Sequence, residues 1–193
     1  MKINIKTNQK AVIKSLGRRS KKHIPKATKW ALNNTAKSLS KAYSAQIQKK
    51  LDNPIPFTIR GFFIGFAKPS NLEAFVQVKD DVAKYLKWQI EGGVSTPTKK
   101  YAVPTPNRKL NQYGNIPGKS KGLVKNKQEI RKTKTGFGVW SIATKSKPAK
   151  LLIAFKSSIN YAKKFPFFYI GKKFIANVLP KELKKSFKKE MRR

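Results

Sequence analysis

The stretch from Ile24 to Leu51 constrains the fold more than any other part of the chain. Ala27, Ala31, Thr35, Leu39, Ala42, Tyr43, Ile47 and Leu51 recur at steps of three and four, the period at which residues share one face of an α-helix. Pro25 stands where a first turn tolerates a missing N–H, and Asp52-Asn53-Pro54 supplies turn formers followed by a residue that cannot extend a helix. A helix over 25–51 would be about 40 Å long, enough to cross a small domain and give a sheet a surface to pack on. The other face carries Lys26, Lys29, Lys37, Lys41, Lys49 and Lys50, so a modest apolar seam is set against a basic exterior.

The same imbalance runs through the whole chain. Lys and Arg total 45 against 8 Asp and Glu, a net charge of +37. Too few acids are present to pair these cations internally, and such a chain repels itself unless a polyanion is near. Nucleic acid is the first partner to consider, an anionic membrane surface the second and an acidic protein the third. Lys outnumbers Arg, which favours diffuse phosphate contact over bidentate reading of bases. No run of about 18 apolar residues is present to span a bilayer, and no charged-then-apolar leader opens the chain; a protein made and used inside a cell is expected. The absence of cysteine excludes disulfides and thiolate-bound metals. Twelve Phe, six Tyr and three Trp argue for a packed core rather than a disordered basic tail, and 193 residues make one domain the default.

In chain order, residues 1–23 read as a basic N-terminal arm, with a weak strand pattern over Met1–Ile5, a helical turn over Ala11–Leu16 and a hinge over Gly17–Lys22. Phe57–Ala67 and Glu73–Lys79 have strand composition and flank the turn Pro69-Ser70-Asn71, so 57–79 is expected to form a hairpin. Asp80-Asp81 opens a short helix with Val82, Tyr85, Leu86, Gln89 and Ile90 on its apolar face, ended by Gly92-Gly93. Residues 94–135 are rich in Pro, Gly, Asn and Thr and carry Lys99, Lys100, Arg108, Lys109, Lys119, Lys121, Lys125, Lys127, Arg131, Lys132 and Lys134 against Glu129 alone. A loop of that length inside a compact domain is functional or disordered. Gly136–Thr144 and Leu151–Lys156 read as strands joined by a Lys-Ser-Lys-Pro turn. Ile175, Leu179, Leu183, Phe187 and Met191 then form a helical stripe in which Pro180 should kink the helix or start a new one.

Four motifs resemble known chemistry, and each has a plainer reading. Gly114 to Ser120 approaches a phosphate-binding P-loop, but the required leading Gly falls at Tyr113, and a Gly-Pro-rich basic turn suffices. Asp52 with Gln77-Val78-Lys79 loosely matches a metal-dependent nuclease, yet metal-assisted phosphodiester cleavage needs a cluster of carboxylates that is missing here. His23, the only histidine, has no carboxylate within ten residues and reads as solvated. Asn33-Asn34-Thr35 matches a glycosylation sequon without a secretory leader.

Pro166-Phe167 followed by Phe174, Ile175 and Leu179-Pro180-Lys181-Glu182-Leu183 resembles the end of the minor tail protein Z group of long-tailed bacteriophages. Pro25 with Ala31-Leu32-Asn33-Asn34-Thr35-Ala36 resembles the start of that group's N-terminal helix, and Asn53-Pro54-Ile55-Pro56-Phe57-Thr58 the segment after it. Tyr85–Gly93 is similar, more loosely, to head-tail connector and neck proteins. The resemblance implies a virion protein that completes the tail at the head-tail junction. It would be a non-enzymatic structural component without a cofactor, present in host cytoplasm during assembly, forming a ring beside the tail terminator and connector, close to phage double-stranded DNA and away from membrane.

The fold expected is one α+β domain over 1–193. The helix over 25–51 and a C-terminal helix would pack on a mixed or antiparallel sheet built from 57–79 and 136–156, with the basic loop 94–135 projecting. The eleven loop cations would contact DNA phosphates, and Phe167, Phe168, Phe174, Leu179, Leu183 and Phe187 would join protein to protein. A free nucleoid-like DNA- or RNA-binding protein and a metal-dependent phage nuclease remain alternatives.

Overall fold

The computed structural model describes residues 1–7, 18–117, 127–134 and 136–192, with 18–22 and 191 described only through their backbone. The element order is β1 (Lys2–Lys6), α1 (Arg18–Lys50), α2 (Pro56–Ile59), β2 (Phe62–Gly65), β3 (Glu73–Val78), α3 (Asp80–Glu91), β4 (Gly93–Ser95), β5 (Tyr101–Pro104), β6 (Gln128–Thr133), β7 (Gly136–Ser141), β8 (Leu151–Lys156), β9 (Ile159–Tyr161) and α4 (Phe167–Met191). This is the α+β composition expected, with long helices near both ends. The chain divides into two compact units, one of residues 1–91 with 164–193 and one of residues 92–163.

The first unit is built on α1. Its buried residues Ala27, Ala31, Leu32, Thr35, Ala36, Leu39, Tyr43 and Ile47 follow the helical period. The helix begins at Arg18 rather than at Pro25, so Pro25 lies inside it. Residues 1–6 are likewise no free arm. Ile3 and Ile5 are buried while Lys2, Asn4 and Lys6 are exposed, and β1 pairs antiparallel with β3. The sheet order is β1-β3-β2, so β2 and β3 form the expected hairpin, although residues 56–59 are a helical turn rather than strand. The expected turn over Ala11–Leu16 lies outside the described residues.

Tyr43 is the centre of this core. Its ring packs against Phe62 at 5.2 Å and Phe167 at 4.5 Å, which are themselves 6.5 Å apart, Phe165 meets it edge-on at 5.9 Å, and its hydroxyl donates to the Phe167 carbonyl at 3.0 Å. Burial pushes the phenol pKa well above its ordinary value. Gly171, one turn along α4 from Phe167, lets the helix approach. A Cβ there would overlap Tyr43 Oη and Ile3 Cδ1. α4 continues through Pro180, so no new helix starts there. Ile3, Leu39, Tyr43, Phe165, Phe167 and Leu179 share one cluster, against which Ile170, Phe174, Ile175 and Leu183 of α4 pack; that tertiary contact can offset the hydrogen bond proline removes. Asn33 is buried and forms two hydrogen bonds with Ala67, donating Nδ2–H to its carbonyl at 3.2 Å and accepting its N–H on Oδ1 at 2.7 Å. Asp80 and Asp81 occupy the first turn of α3, and Gly92 follows its end at φ +74.

The second unit holds a two-stranded sheet, β4-β9, and a four-stranded antiparallel sheet in the order β5-β8-β7-β6. Residues 57–79 and 136–156 therefore do not share a sheet as expected. The segment 94–135 is not one loop either, because β5 and β6 lie inside it and pair with β8 and β7. The apolar centre is Val139, Leu152 and Ile153 with Ala102, Ile116 and Phe155 packed against them. The β7–β8 register shifts between Val139 and Trp140, an irregularity that lets the consecutive residues Leu152 and Ile153 both enter the core.

Candidate nucleic-acid interface

Residues 92–163 contain 16 Lys and Arg but one acid, Glu129, a net of 16 − 1 = +15. Like charges crowded on a small sheet repel one another unless a counter-charge is near. Strand pairing fixes where several of them stand. Lys132 pairs directly with Phe137 across β6 and β7, and the Lys100 ammonium lies 5.9 Å from the centre of the same ring. Phe137 and Ile130 are about half exposed, and alternation puts Ile130, Lys132 and Phe137 on one face of the sheet. Lys100 before β5, Lys132 on β6 and Phe137 on β7 thus form one basic-aromatic patch.

The remaining candidates take up different positions. Arg108 is half-buried and donates to Gln128 Oε1 at 3.2 Å, which draws the segment after β5 toward the start of β6. Arg131 is ion-paired with Glu129 and points to the face opposite Lys132. Lys99, Lys109, Lys127 and Lys134 are exposed, and Lys127 has φ +63 in the turn before β6. Lys119, Lys121 and Lys125 lie outside the described residues. Five further exposed lysines of this unit stand outside the expected set: Lys145, Lys147 and Lys150 in the β7–β8 connection, Lys156 on β8 and Lys163 after β9. For Lys145 and Lys147 the signal in the sequence is the Lys-Ser-Lys-Pro turn, whose composition reads only as a connection.

The expected joining residues separate by burial. Phe167 is wholly buried and Leu179 nearly so. Both serve the core, which corrects their assignment to a surface. Phe174 and Leu183 pack against that core, Phe187 is half-buried, and Phe168 is exposed. A groove of about 530 Å³ between α1 and α4 is lined by Ala42, Gln46, Tyr169, Ile170, Phe174 and Val178, with Lys50 and Lys173 also at its wall. Tyr169, which the helical stripe does not mark, is 65% exposed there.

The motif resemblances resolve into structure. Asn111 Oδ1 accepts the N–H groups of Tyr113 and Asn115, and the Gly114 N–H goes to the Asn111 carbonyl. These donors are occupied within the turn and are not presented to a phosphate; Gly118, Lys119 and Ser120 lie outside the described residues. Asp52 pairs with Lys164 at 2.9 Å. Among the described residues no group of three or more His, Asp or Glu converges. His23 is not simply solvated: its Nδ1 stands 3.4 Å from Glu190 Oε1. In the sequon-like run, Asn33 is bound to Ala67 and Asn34 donates to Glu182 at 3.0 Å. Among the described residues no helix is long and apolar enough to cross a membrane.

Comparison with family models, curated proteins and solved structures finds no match to this chain.

Proposed function

We propose that this protein is a structural virion component that completes a phage tail at the head-tail junction and holds the DNA backbone there without reading sequence. The observation that carries the DNA part is the ratio of sixteen cations to one acid over residues 92–163. Lysine ammonium groups are compact point charges that tolerate many phosphate geometries, so they bind the backbone in any sequence. With six to ten phosphates neutralised, affinity should fall by about 10³ to 10⁵ between 50 and 200 mM salt. The tail assignment is supported by the likeness of the chain ends to minor tail protein Z. The exposed Phe168 and Tyr169 and the groove between α1 and α4 are available for joining to neighbouring tail proteins such as the terminator and connector. A ring of such copies would carry its lysines around the DNA, whose charge would offset their mutual repulsion.

The test replaces Lys99, Lys100, Lys132 and Lys134 with Gln. On duplex DNA, the slope of log K against log salt should become shallower by about 0.9 for each phosphate that is no longer neutralised. Tails completed with this variant should assemble but fail in head joining or DNA retention. An unchanged salt slope together with normal joining refutes the proposal. A protein that coats DNA as a monomer and does not associate with purified tails favours a free nucleic-acid-binding protein instead.

A further inference from the structure

The outer face of the β1-β3-β2 sheet carries a second, different surface. The pairings Lys2 with Gln77, Asn4 with Phe75, Lys6 with Glu73 and Phe63 with Gln77 put these residues on one face, opposite the buried Ile3, Ile5, Val76 and Val78. Phe63 is 53% exposed. Its ring centre lies 6.1 Å from that of Phe75, and Lys2 Nζ stands 3.8 Å above the Phe75 ring. Phe75 is fixed in place by Gly65: a Cβ there would overlap the ring, so its absence lets the aromatic lie flat against the neighbouring strand. Lys6 is balanced by Glu73 at 3.2 Å, while Lys79 follows β3 in the same alternation and is exposed.

We infer that this face is a stacking platform for single-stranded DNA, with an unpaired base on the exposed ring of Phe63, which Phe75 buttresses from the side, and the adjoining phosphates on Lys2 and Lys79. A duplex hides its base faces and can use only the lysines, whereas a single strand can use rings and lysines together. Asn4 and Gln77 beside the rings offer amide donors and acceptors to base edges. An acidic protein segment would gain from the lysines but would leave two phenyl rings and two amides without matched groups. The choice of DNA over RNA rests on the function proposed above. The platform is nevertheless in the other compact unit and uses none of the residues proposed there for duplex binding.

The experiment measures fluorescence anisotropy of the full chain with labelled oligo(dT), oligo(U) and a mixed-sequence duplex over a salt series, for wild type, Phe63→Ala and Phe63→Trp. Removal of one stacked base should weaken oligo(dT) binding by about five- to 150-fold. The salt slope should be unchanged, because phenylalanine carries no charge. Phe63→Trp should restore binding, and duplex affinity should not move. Equal binding of oligo(dT) by wild type and Phe63→Ala overturns the inference, as does a parallel loss for duplex or failure of the Trp variant to rescue. Preferential binding of oligo(U) overturns the assignment to DNA. Normal Phe63 dependence with a salt-insensitive duplex would instead refute the duplex reading and leave the platform standing.

Discussion

Replacing Gly171 with Ala tests the packing at the centre of the first unit. On an isolated helix this change is favourable by about 0.8–1.0 kcal/mol, because Gly loses more backbone freedom than Ala. Here the added methyl would meet Tyr43 Oη and Ile3 Cδ1 well inside the 3.0 Å limit of real Cβ contacts. Tyr43 is wholly buried, packed against Phe62, Phe165 and Phe167 and tied by its hydroxyl to the Phe167 carbonyl, so it has little room to turn aside. Overpacking of that kind costs about 1–3 kcal/mol. Displacing the tyrosine would forfeit a further ~1 kcal/mol of hydrogen bonding. We expect a net loss of about 2 kcal/mol after the helix gain, with Tm lower by about 4–8 °C for a chain of this length. The assay is thermal and urea unfolding followed by circular dichroism. Tyr43→Phe removes the atom that collides most directly, so the double variant should lie above the sum of the two single losses by about 1 kcal/mol. A Gly171→Ala protein as stable as its parent, or strict additivity in the double variant, would refute the reasoning.

Two other outcomes follow from the same core. The raised pKa of Tyr43 means that the folded protein holds this proton more tightly than the unfolded chain, so its stability contribution is complete below pH ~10 and is lost as pH rises through the folded value; urea midpoints of wild type and Tyr43→Phe measured from pH 8 to 11 should show wild type losing ground to the variant, and a constant difference would contradict this. Asn33→Ala should lower stability by about 1–3 kcal/mol, because Ala67 loses partners for both its buried N–H and its carbonyl; an unchanged urea midpoint would show that water replaces the amide without cost.

The basic interface is legible in part. Charge and its crowding into residues 94–135 can be read from composition, since neither depends on folding. What cannot be read is that Lys132 lies across from Phe137 while Arg131 turns to the opposite face with Glu129. That distinction needs the strand pairing, and the Pro, Gly and Asn content around β5 and β6 masks both strands. Two of the expected joining residues, Phe167 and Leu179, prove to be core for a related reason. Periodicity places Phe167 and Leu179 on an apolar stripe, but a stripe looks the same whether it faces a core or a partner.

Local sequence suffices for the long helix through residues 24–51, the alternation of β1, the hairpin of β2 and β3, the acidic start of α3 and the excess of positive charge. Periodicity, turn chemistry and net charge are local or additive properties, and each can be summed along the chain. Only the folded arrangement settles which strands share a sheet, which phenylalanines are core, and what faces the few polar groups at critical positions. His23 meets Glu190 across 167 residues of sequence, Asn33 meets Ala67 across 34, and the first strand finds its partner beyond residue 70. Such pairings form only when distant segments are brought together and their desolvation must be matched by a partner, a condition that no local window of sequence contains.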